Sequence, residues 1–165
     1  MSYRTVCDVM YTAGLAGSTA YLGVDGVIDG QRRRARFLGT NPDVPVVVIG
    51  YGSAEQVQAA LPQLQLPGVT VTLERAELNK RDGRLIAAPS GAGPWQKLTV
   101  HTSEATLHDG APVHRALVAQ LRERRLVNGV TVVRGIWGFH GDHAPHGDRL
   151  LQLSRRVPVT TIMVD

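Results

Sequence analysis

The sequence has little cysteine, few aromatic residues and no long apolar run. Its single cysteine, Cys7, excludes a disulfide framework and a structural zinc site built on cysteines. Aromatic residues make up only 5% of the chain, so the core has to be aliphatic. The longest uncharged run near the start, Val9–Val24, is too short and too rich in Gly, Ser and Thr to cross a bilayer. These absences predict a cytoplasmic protein without direct membrane insertion.

What the sequence does have is a modest excess of positive charge. The 165 residues contain 18 Lys and Arg against 14 Asp and Glu, which gives a formal net charge of +4. Hydrophobic residues account for 43%, enough to build the core of one domain or two small ones. The charge balance favours acidic partners, such as phosphates, acidic protein faces or anionic lipid headgroups.

Two stretches of the chain, 18–50 and 130–163, resemble each other in order and spacing. Each contains a β-rich run that closes on Gly-x-x-Gly, a long polar loop, and a Val-Pro-Val tripeptide that enters another β-rich run. The glycines are Gly23 and Gly26 in the first stretch and Gly135 and Gly138 in the second. A short helical stretch precedes each copy, and shared order and spacing over about 50 residues indicate a duplication.

The periodicity predicts an α+β protein with two ferredoxin-like (split βαβ) repeats, each an antiparallel sheet with helices on one face. Residues 1–76 form a diverged repeat without its first strand, 77–95 form a linker, and 96–165 form a repeat without its last helix and strand. A permuted or strand-swapped arrangement, strands from neighbouring subunits, or a longer chain would each fill these gaps. The predicted strands are Val44–Ile49, Val69–Glu74, Lys97–Thr102, Val130–Ile136 and Val157–Val164.

Two helices carry recognisable start signals. Ser53 and Gln56 have the spacing of a capping box, in front of an apolar face that ends near Pro62. Asp109 is predicted to cap a helix over Gly110–Arg125, with Pro112 in its first turn.

Several motifs of the second repeat occur together in one known family. They are Asp109-Gly110-x-Pro112, Arg134-Gly135-Ile136-x-Gly138-Phe139, Leu153-Ser154 and Val157-Pro158-Val159. On these motifs Gln96–Asp165 resembles the bacterial PII-like family catalogued as a domain of unknown function. The first repeat fits the family as a diverged copy.

The resemblance implies a ferredoxin-like fold that forms trimers, similar to the PII signalling proteins. Those proteins bind adenine nucleotides between subunits and use a long loop to contact transporters, channels or enzymes. The corresponding loops here are Asp25–Asp43 and Phe139–Arg156. We therefore expect a non-enzymatic regulatory or adaptor protein, a homo-oligomer in a trimer-like ring or strand-swapped assembly, with a membrane transport protein as partner.

Glycines and arginines are the candidates for binding a small anion or an adenine nucleotide. Closely spaced glycines let backbone N–H groups approach a phosphate, and guanidinium groups bind it in bidentate fashion. The alternatives are tight turns that require glycine and a solvated charged loop. The candidate residues are Gly23, Gly26, Arg32, Arg33, Arg34, Arg36, Arg134, Gly135 and Gly138.

A histidine-rich stretch supports an alternative function. His140, His143 and His146 lie within seven residues, together with Asp142, and neutral imidazole binds Zn²⁺, Ni²⁺ or Cu²⁺. The chain would then be a protein that binds a divalent metal. A structural oligomer with no ligand is a further alternative.

Two other classes of function lack support in the sequence. A nucleophile–His–acid enzyme would need Ser103 and Glu104 beside His101, His108 or His114, but no spacing favours this arrangement. An RNA-binding sheet would present aromatic residues among basic ones, whereas the candidate strands offer only Tyr21. We expect neither an enzyme nor a nucleic-acid-binding protein.

Overall fold

A computed structural model describes residues 2–28, 30–35, 44–77, 80–81, 84–85, 97–141, 143–147 and 157–164. Within these ranges no helix is long and apolar enough to cross a membrane. The helices are α1 (Tyr3–Thr12), α2 (Ala54–Ala60) and α3 (Val113–Arg124), and a 3₁₀ turn, Leu61–Leu64, follows α2. The strands are β1 (Gly17–Leu22), β2 (Asp25–Ile28), β3 (Gln31–Arg34), β4 (Val46–Tyr51), β5 (Lys80–Arg81), β6 (Arg84–Leu85), β7 (Lys97–Ser103), β8 (Leu107–His108), β9 (Ala111–Pro112), β10 (Gly129–Arg134), β11 (Trp137–His140), β12 (His146–Gly147) and β13 (Pro158–Val164).

Two antiparallel sheets organise the described part of the chain. The first has the strand order β12-β11-β1-β4, and the second has the order β10-β13-β7. Strands β2 and β3 form a separate hairpin. The strand–helix–strand–strand succession β7-α3-β10-β13, with β13 in the centre, is consistent with the split βαβ arrangement. The predicted α+β class, with ferredoxin-like antiparallel sheets, is confirmed.

The two repeats have matching strand pairs. In the first repeat β1 pairs with β4, and Leu22 lies opposite Val46. In the second repeat β10 pairs with β13, and Arg134 lies opposite Val159. All four paired segments are six residues long in register, which is the structural counterpart of the repeated sequence.

The same hydrogen bond closes both strand pairs. The Gly23 N–H donates to the Pro45 carbonyl at 2.7 Å, and the Gly135 N–H donates to the Pro158 carbonyl at 2.8 Å. A short strand follows each glycine, β2 in the first repeat and β11 in the second, and each of these strands pairs with the strand that comes next. The duplication thus extends from the strands into the Gly-x-x-Gly segments.

The repeats interlock through β11. This strand belongs to the second repeat but pairs with β1 of the first, with Ser18 opposite Phe139. The Phe139 side chain is only 1% exposed and completes the apolar cluster of the first repeat. The other buried members of this cluster are Val6, Met10, Leu15, Ala60 and Leu64. This apolar cluster therefore contains residues from both repeats, and Phe139 contributes the one aromatic ring among its buried members.

One of the two predicted helix starts is confirmed and the other is wrong. The Ser53–Gln56 capping box is present in full: the Ser53 side chain accepts from the Gln56 N–H at 3.3 Å, and the Gln56 side chain accepts from the Ser53 N–H at 2.8 Å. The prediction for Asp109 was wrong. Helix α3 begins at Val113 with Pro112 as its N-cap, and no side chain caps it. Asp109, with φ +50°, lies in the turn between β8 and β9 instead.

Two further expectations need correction. Val69–Glu74 is not a strand: its residues pair with no described strand, and Val71 and Leu73 are exposed. Phe139–Arg156 is not a loop along its whole length, because it begins with the last two residues of β11 and contains β12, and both strands join the first sheet. Residues 142 and 148–156 of that loop lie outside the described residues.

Candidate functional site

The β2–β3 hairpin holds three of the candidate arginines on a strand rather than in an open loop. Gly30, with φ +75°, lies in the turn between the two strands, where a left-handed residue suits the twist of a tight hairpin. Arg32, Arg33 and Arg34 follow on β3, and alternate side chains of a strand point to opposite faces. Arg32 and Arg34 therefore share one face and Arg33 lies on the other. Arg36 lies outside the described residues.

Arg32 is already engaged by a carboxylate. Its Nη2 lies 2.5 Å from Asp25 Oδ2, and its Nε donates to Asp25 Oδ1 at 3.0 Å. The hydrogen bond from Arg32 lowers the pKa of the Asp25 carboxyl, and the positive charges of Arg32 and Arg34 lower it further. Arg33 donates to the Gln31 side chain at 2.7 Å. The hairpin sequence contains Arg32, Arg33 and Arg34 against Asp25 and Asp29, which leaves it with a formal net charge of +1.

The four candidate glycines have a packing explanation. A Cβ on Gly23 would lie 2.8 Å from the Pro45 carbonyl oxygen, and one on Gly26 would lie 2.7 Å from Pro45 Cγ. In the second repeat a Cβ on Gly135 would overlap the Thr19 methyl group, and one on Gly138 would overlap the Ser18 carbonyl oxygen. Glycine is therefore required wherever these segments cross a neighbouring strand. Their role in binding a phosphate remains a prediction.

Arg134 forms an ion pair within the second repeat. Its Nη2 lies 2.6 Å from Glu104 Oε1, and the Glu104 side chain is only 19% exposed. The other oxygen, Glu104 Oε2, is buried and accepts no hydrogen bond from the residues that the structure describes. Arg32 thus pairs with a carboxylate of the first repeat, and Arg134 pairs with a carboxylate of the second repeat.

Two of the three candidate metal ligands lie close together. The ring centroids of His140 and His143 are 5.9 Å apart, and His146 Nδ1 lies 3.0 Å from the Ala144 carbonyl oxygen. Among the residues that the structure describes, no group of three or more His, Cys, Asp or Glu side chains could hold a metal ion. Asp142 lies outside them. The three-histidine metal site remains a prediction.

A polar cluster that joins the two sheets was not found from the sequence. The Tyr21 hydroxyl is hydrogen-bonded to the Thr160 hydroxyl, and Thr160 Oγ1 in turn lies 3.3 Å from His101 Nδ1. The His101 ring also stacks on Tyr51, with centroids 4.5 Å apart and an interplanar angle of 26°. Both tyrosines come from the first repeat, whereas the histidine and the threonine come from the second. The cluster therefore couples the repeats by a contact that is not β-pairing.

The residues of the hypothetical nucleophile–His–acid arrangement lie in other contacts. The Ser103 hydroxyl accepts from the Ala105 N–H at 3.3 Å, His108 lies 3.5 Å from Asp109, and His101 belongs to the polar cluster above. His114 Nδ1 is buried and has no hydrogen-bond partner in the described part of the chain. No described contact brings Ser103 to an imidazole.

We expect protonation of His101 to destabilise the fold. Desolvation of the ring, one face of which stacks on Tyr51, lowers the pKa of the His101 imidazole below the ordinary value of 6.5, because the charged form loses hydration. Below pH 6.5 the unfolded chain then binds a proton that the folded chain does not, so the free energy of unfolding decreases as the pH falls. Urea denaturation from pH 7.5 to 5 would measure the slope. His101→Phe keeps a ring on Tyr51 and should flatten it, and an unchanged slope would contradict the assignment.

One family model matches most of the chain. It covers residues 1–78 and 95–165, and it describes DUF190, an uncharacterized ACR. The two matched segments carry the two repeats and are consistent with a tandem arrangement of that domain. No solved structure matches the chain.

Proposed function

Since the chain belongs to the DUF190 family, we propose that it is a non-enzymatic, PII-like regulatory or adaptor protein of the cytoplasm. It assembles with further copies of itself and contacts a partner protein through its hairpins. A small anionic ligand, with an adenine nucleotide as the first candidate, biases the conformation of the hairpin. The proposed partner is a membrane transport protein, as the PII resemblance implies.

The observation that carries this proposal is the basic β2–β3 hairpin. It pairs with no strand of either sheet in the described part of the chain. The Arg32 side chain is 69% exposed, Arg34 is exposed, and Val24 and Val27 present apolar surface beside them. A projecting hairpin with arginines and exposed valines suits contact with an acidic or phosphorylated surface.

The Asp25–Arg32 ion pair gives a ligand a means of acting on the hairpin. Both groups are exposed to solvent, so the pair contributes little to stability. A phosphate group competes with the Asp25 carboxylate for Arg32 and also attracts Arg34 on the same face. Binding then exchanges one hydrogen-bond pattern across the base of the hairpin for another, which shifts the population of its conformations.

Isothermal titration calorimetry with ATP, ADP and AMP tests the ligand. We expect saturable binding of at least one nucleotide, about tenfold or more weakened by Arg32→Ala/Arg34→Ala, since each charge-assisted hydrogen bond contributes roughly 1.5–3 kcal/mol. Arg122→Ala/Arg124→Ala on α3 is the matched control, because it removes the same charge from exposed helical positions. It should bind as the wild type does.

Two results would contradict the proposal. Flat titrations of the wild-type protein with all three nucleotides would remove the sensing function. The protein is also incubated with each nucleotide for a prolonged time, and the mixture is analysed by chromatography. Conversion of a nucleotide to product would show that the protein is an enzyme and not a regulator.

A further inference from the structure

Equivalent strands of the two repeats differ in what covers them. β1 has β4 on one side and β11 on the other, and its residues Ser18, Thr19 and Ala20 are at most 3% exposed. β10, the equivalent strand, has β13 on one side and no described strand on the other. Thr131 and Val132 on β10 are exposed. As far as the described strands go, the outer edge of β10 therefore presents backbone without a strand partner, of the kind that β11 covers on β1.

The equivalent of β11 in the first repeat is β2, which joins neither of the two larger described sheets. β2 and β11 are both four residues long, and both follow the glycine that bonds to a proline carbonyl. The second residue of each strand is a glycine held against that proline: a Cβ would lie 2.7 Å from Pro45 Cγ at Gly26 and 3.1 Å from Pro158 Cγ at Gly138. β11 is inserted beside β1, whereas β3 is the one described strand that pairs with β2.

We infer that β2 of one chain adds to the outer edge of β10 in a second copy of the chain. The register is the one that β11 uses on β1, where Ser18 lies opposite Phe139. Transferred to the equivalent positions, it places Val27 opposite Val130. The inference rests on the proposed function and names the surface through which the protein assembles.

The side chains at these positions support the pairing. Val27 occupies the place of Phe139, but it is 67% exposed where Phe139 is 1% exposed. Phe139 packs in the cluster that contains Val6 and Leu15. The equivalent positions of the second repeat, in α3 and just before β10, are Val118 and Val127, and both are partly exposed. A small valine thus meets a partly open aliphatic site.

The contact is head to tail, because each chain donates β2 to one neighbour and accepts β2 from another. Such heterologous contacts close into a ring or continue into a fibre. Main-chain hydrogen bonds along the added strand supply the affinity, and the valine pair supplies the register. The intrachain β1–β11 contact is thereby repeated between chains.

Light scattering after size-exclusion chromatography tests the surface. We expect the wild-type chain of 17.8 kDa to have the mass of two or more copies, and Val27→Lys to have the mass of one. Leu107→Lys is the matched control, since Leu107 is 61% exposed and lies on β8. It should assemble as the wild type does. A wild-type mass retained by Val27→Lys overturns the inference.

A cross-link tests the register without breaking the assembly. Directly opposite residues of antiparallel strands have Cα atoms about 4.5–5.5 Å apart, within disulfide range. Val27→Cys and Val130→Cys chains, mixed under mild oxidation, should form a covalent dimer, whereas Val27→Cys with Leu107→Cys should not. Cys7 does not compete, because it is fully buried and burial raises the pKa of its thiol.

The outcomes separate this inference from the proposed function. No cross-link between Val27→Cys and Val130→Cys, or a monomeric wild-type protein, overturns the strand addition. Nucleotide binding is measured by calorimetry on the same preparations and decides the regulatory function independently.

Discussion

Phe139→Ala is expected to lower the free energy of unfolding by about 3–5 kcal/mol, the usual cost of removing a fully buried phenyl ring. The ring is 1% exposed and contacts Tyr11 edge-on, with centroids 5.1 Å apart. It lies in the cluster of the first repeat although it belongs to the second. Truncation leaves a cavity at the point where the repeats interlock, so the loss should appear in a single unfolding transition that includes both repeats.

Urea denaturation followed by circular dichroism measures this loss. Leu107→Ala removes an exposed side chain and should change the free energy of unfolding by less than about 0.5 kcal/mol. Two separate transitions in the wild-type protein, with only one of them shifted by Phe139→Ala, would show that the repeats fold independently and would contradict the interlocked core.

The local features of the fold could be read from the sequence because short-range physics determines them. The glycine spacing and the Val-Pro-Val entries located both repeats, since a glycine is needed wherever a Cβ would meet the neighbouring proline. The capping box at Ser53 and Gln56 was recognisable because both hydrogen bonds depend on residues three apart. The Asp109 cap failed because the chain forms a β8–β9 turn there before the helix starts.

The interlocking of the repeats could not be read in this way. β11 is only four residues long, and a Gly-, His- and Pro-rich segment follows it, so the sequence places its second half, Phe139 and His140, in the predicted loop. Its alternating Trp137 and Phe139 are a strand signal, but too short to stand out. Its pairing with β1 joins positions far apart in sequence, which periodicity does not report. Val69–Glu74 shows the converse, because β-rich composition predicted a strand for which the described chain offers no partner.

The candidate site shows the same division. Arg32, Arg33 and Arg34 were visible as a charge cluster, but not the Asp25 carboxylate that engages Arg32 across the hairpin. The sequence identifies Tyr21 and His101 only as separate residues. No short-range pattern indicates that strands of different sheets bring both of them to Thr160. Hydrogen bonds between distant residues decide which polar side chains act together, and a single sequence does not contain that information.

Gly138→Ala is expected to cost about 2–4 kcal/mol, since it combines overpacking with backbone strain. The residue has φ +155° and lies opposite Thr19 where β11 crosses β1. A Cβ there would overlap the Ser18 carbonyl oxygen and lie 3.0 Å from Thr19 Cα, and both are backbone atoms that cannot move aside alone. The strand would have to withdraw from β1 and would take Phe139 with it.

A comparison of Gly138→Ala with Gly141→Ala separates the steric cost of an added Cβ from the conformational cost of a positive φ. Gly141 also has a positive φ, +58°, but a Cβ there would meet nothing within 4 Å, so the expected loss is only about 1–2 kcal/mol. Thermal or urea unfolding of the two variants gives the difference. Equal losses would show that β11 tolerates a side chain against β1. A larger loss at Gly138 means that the backbones of the two repeats cross too closely there for any side chain. The interlocked fold then requires a glycine at this position.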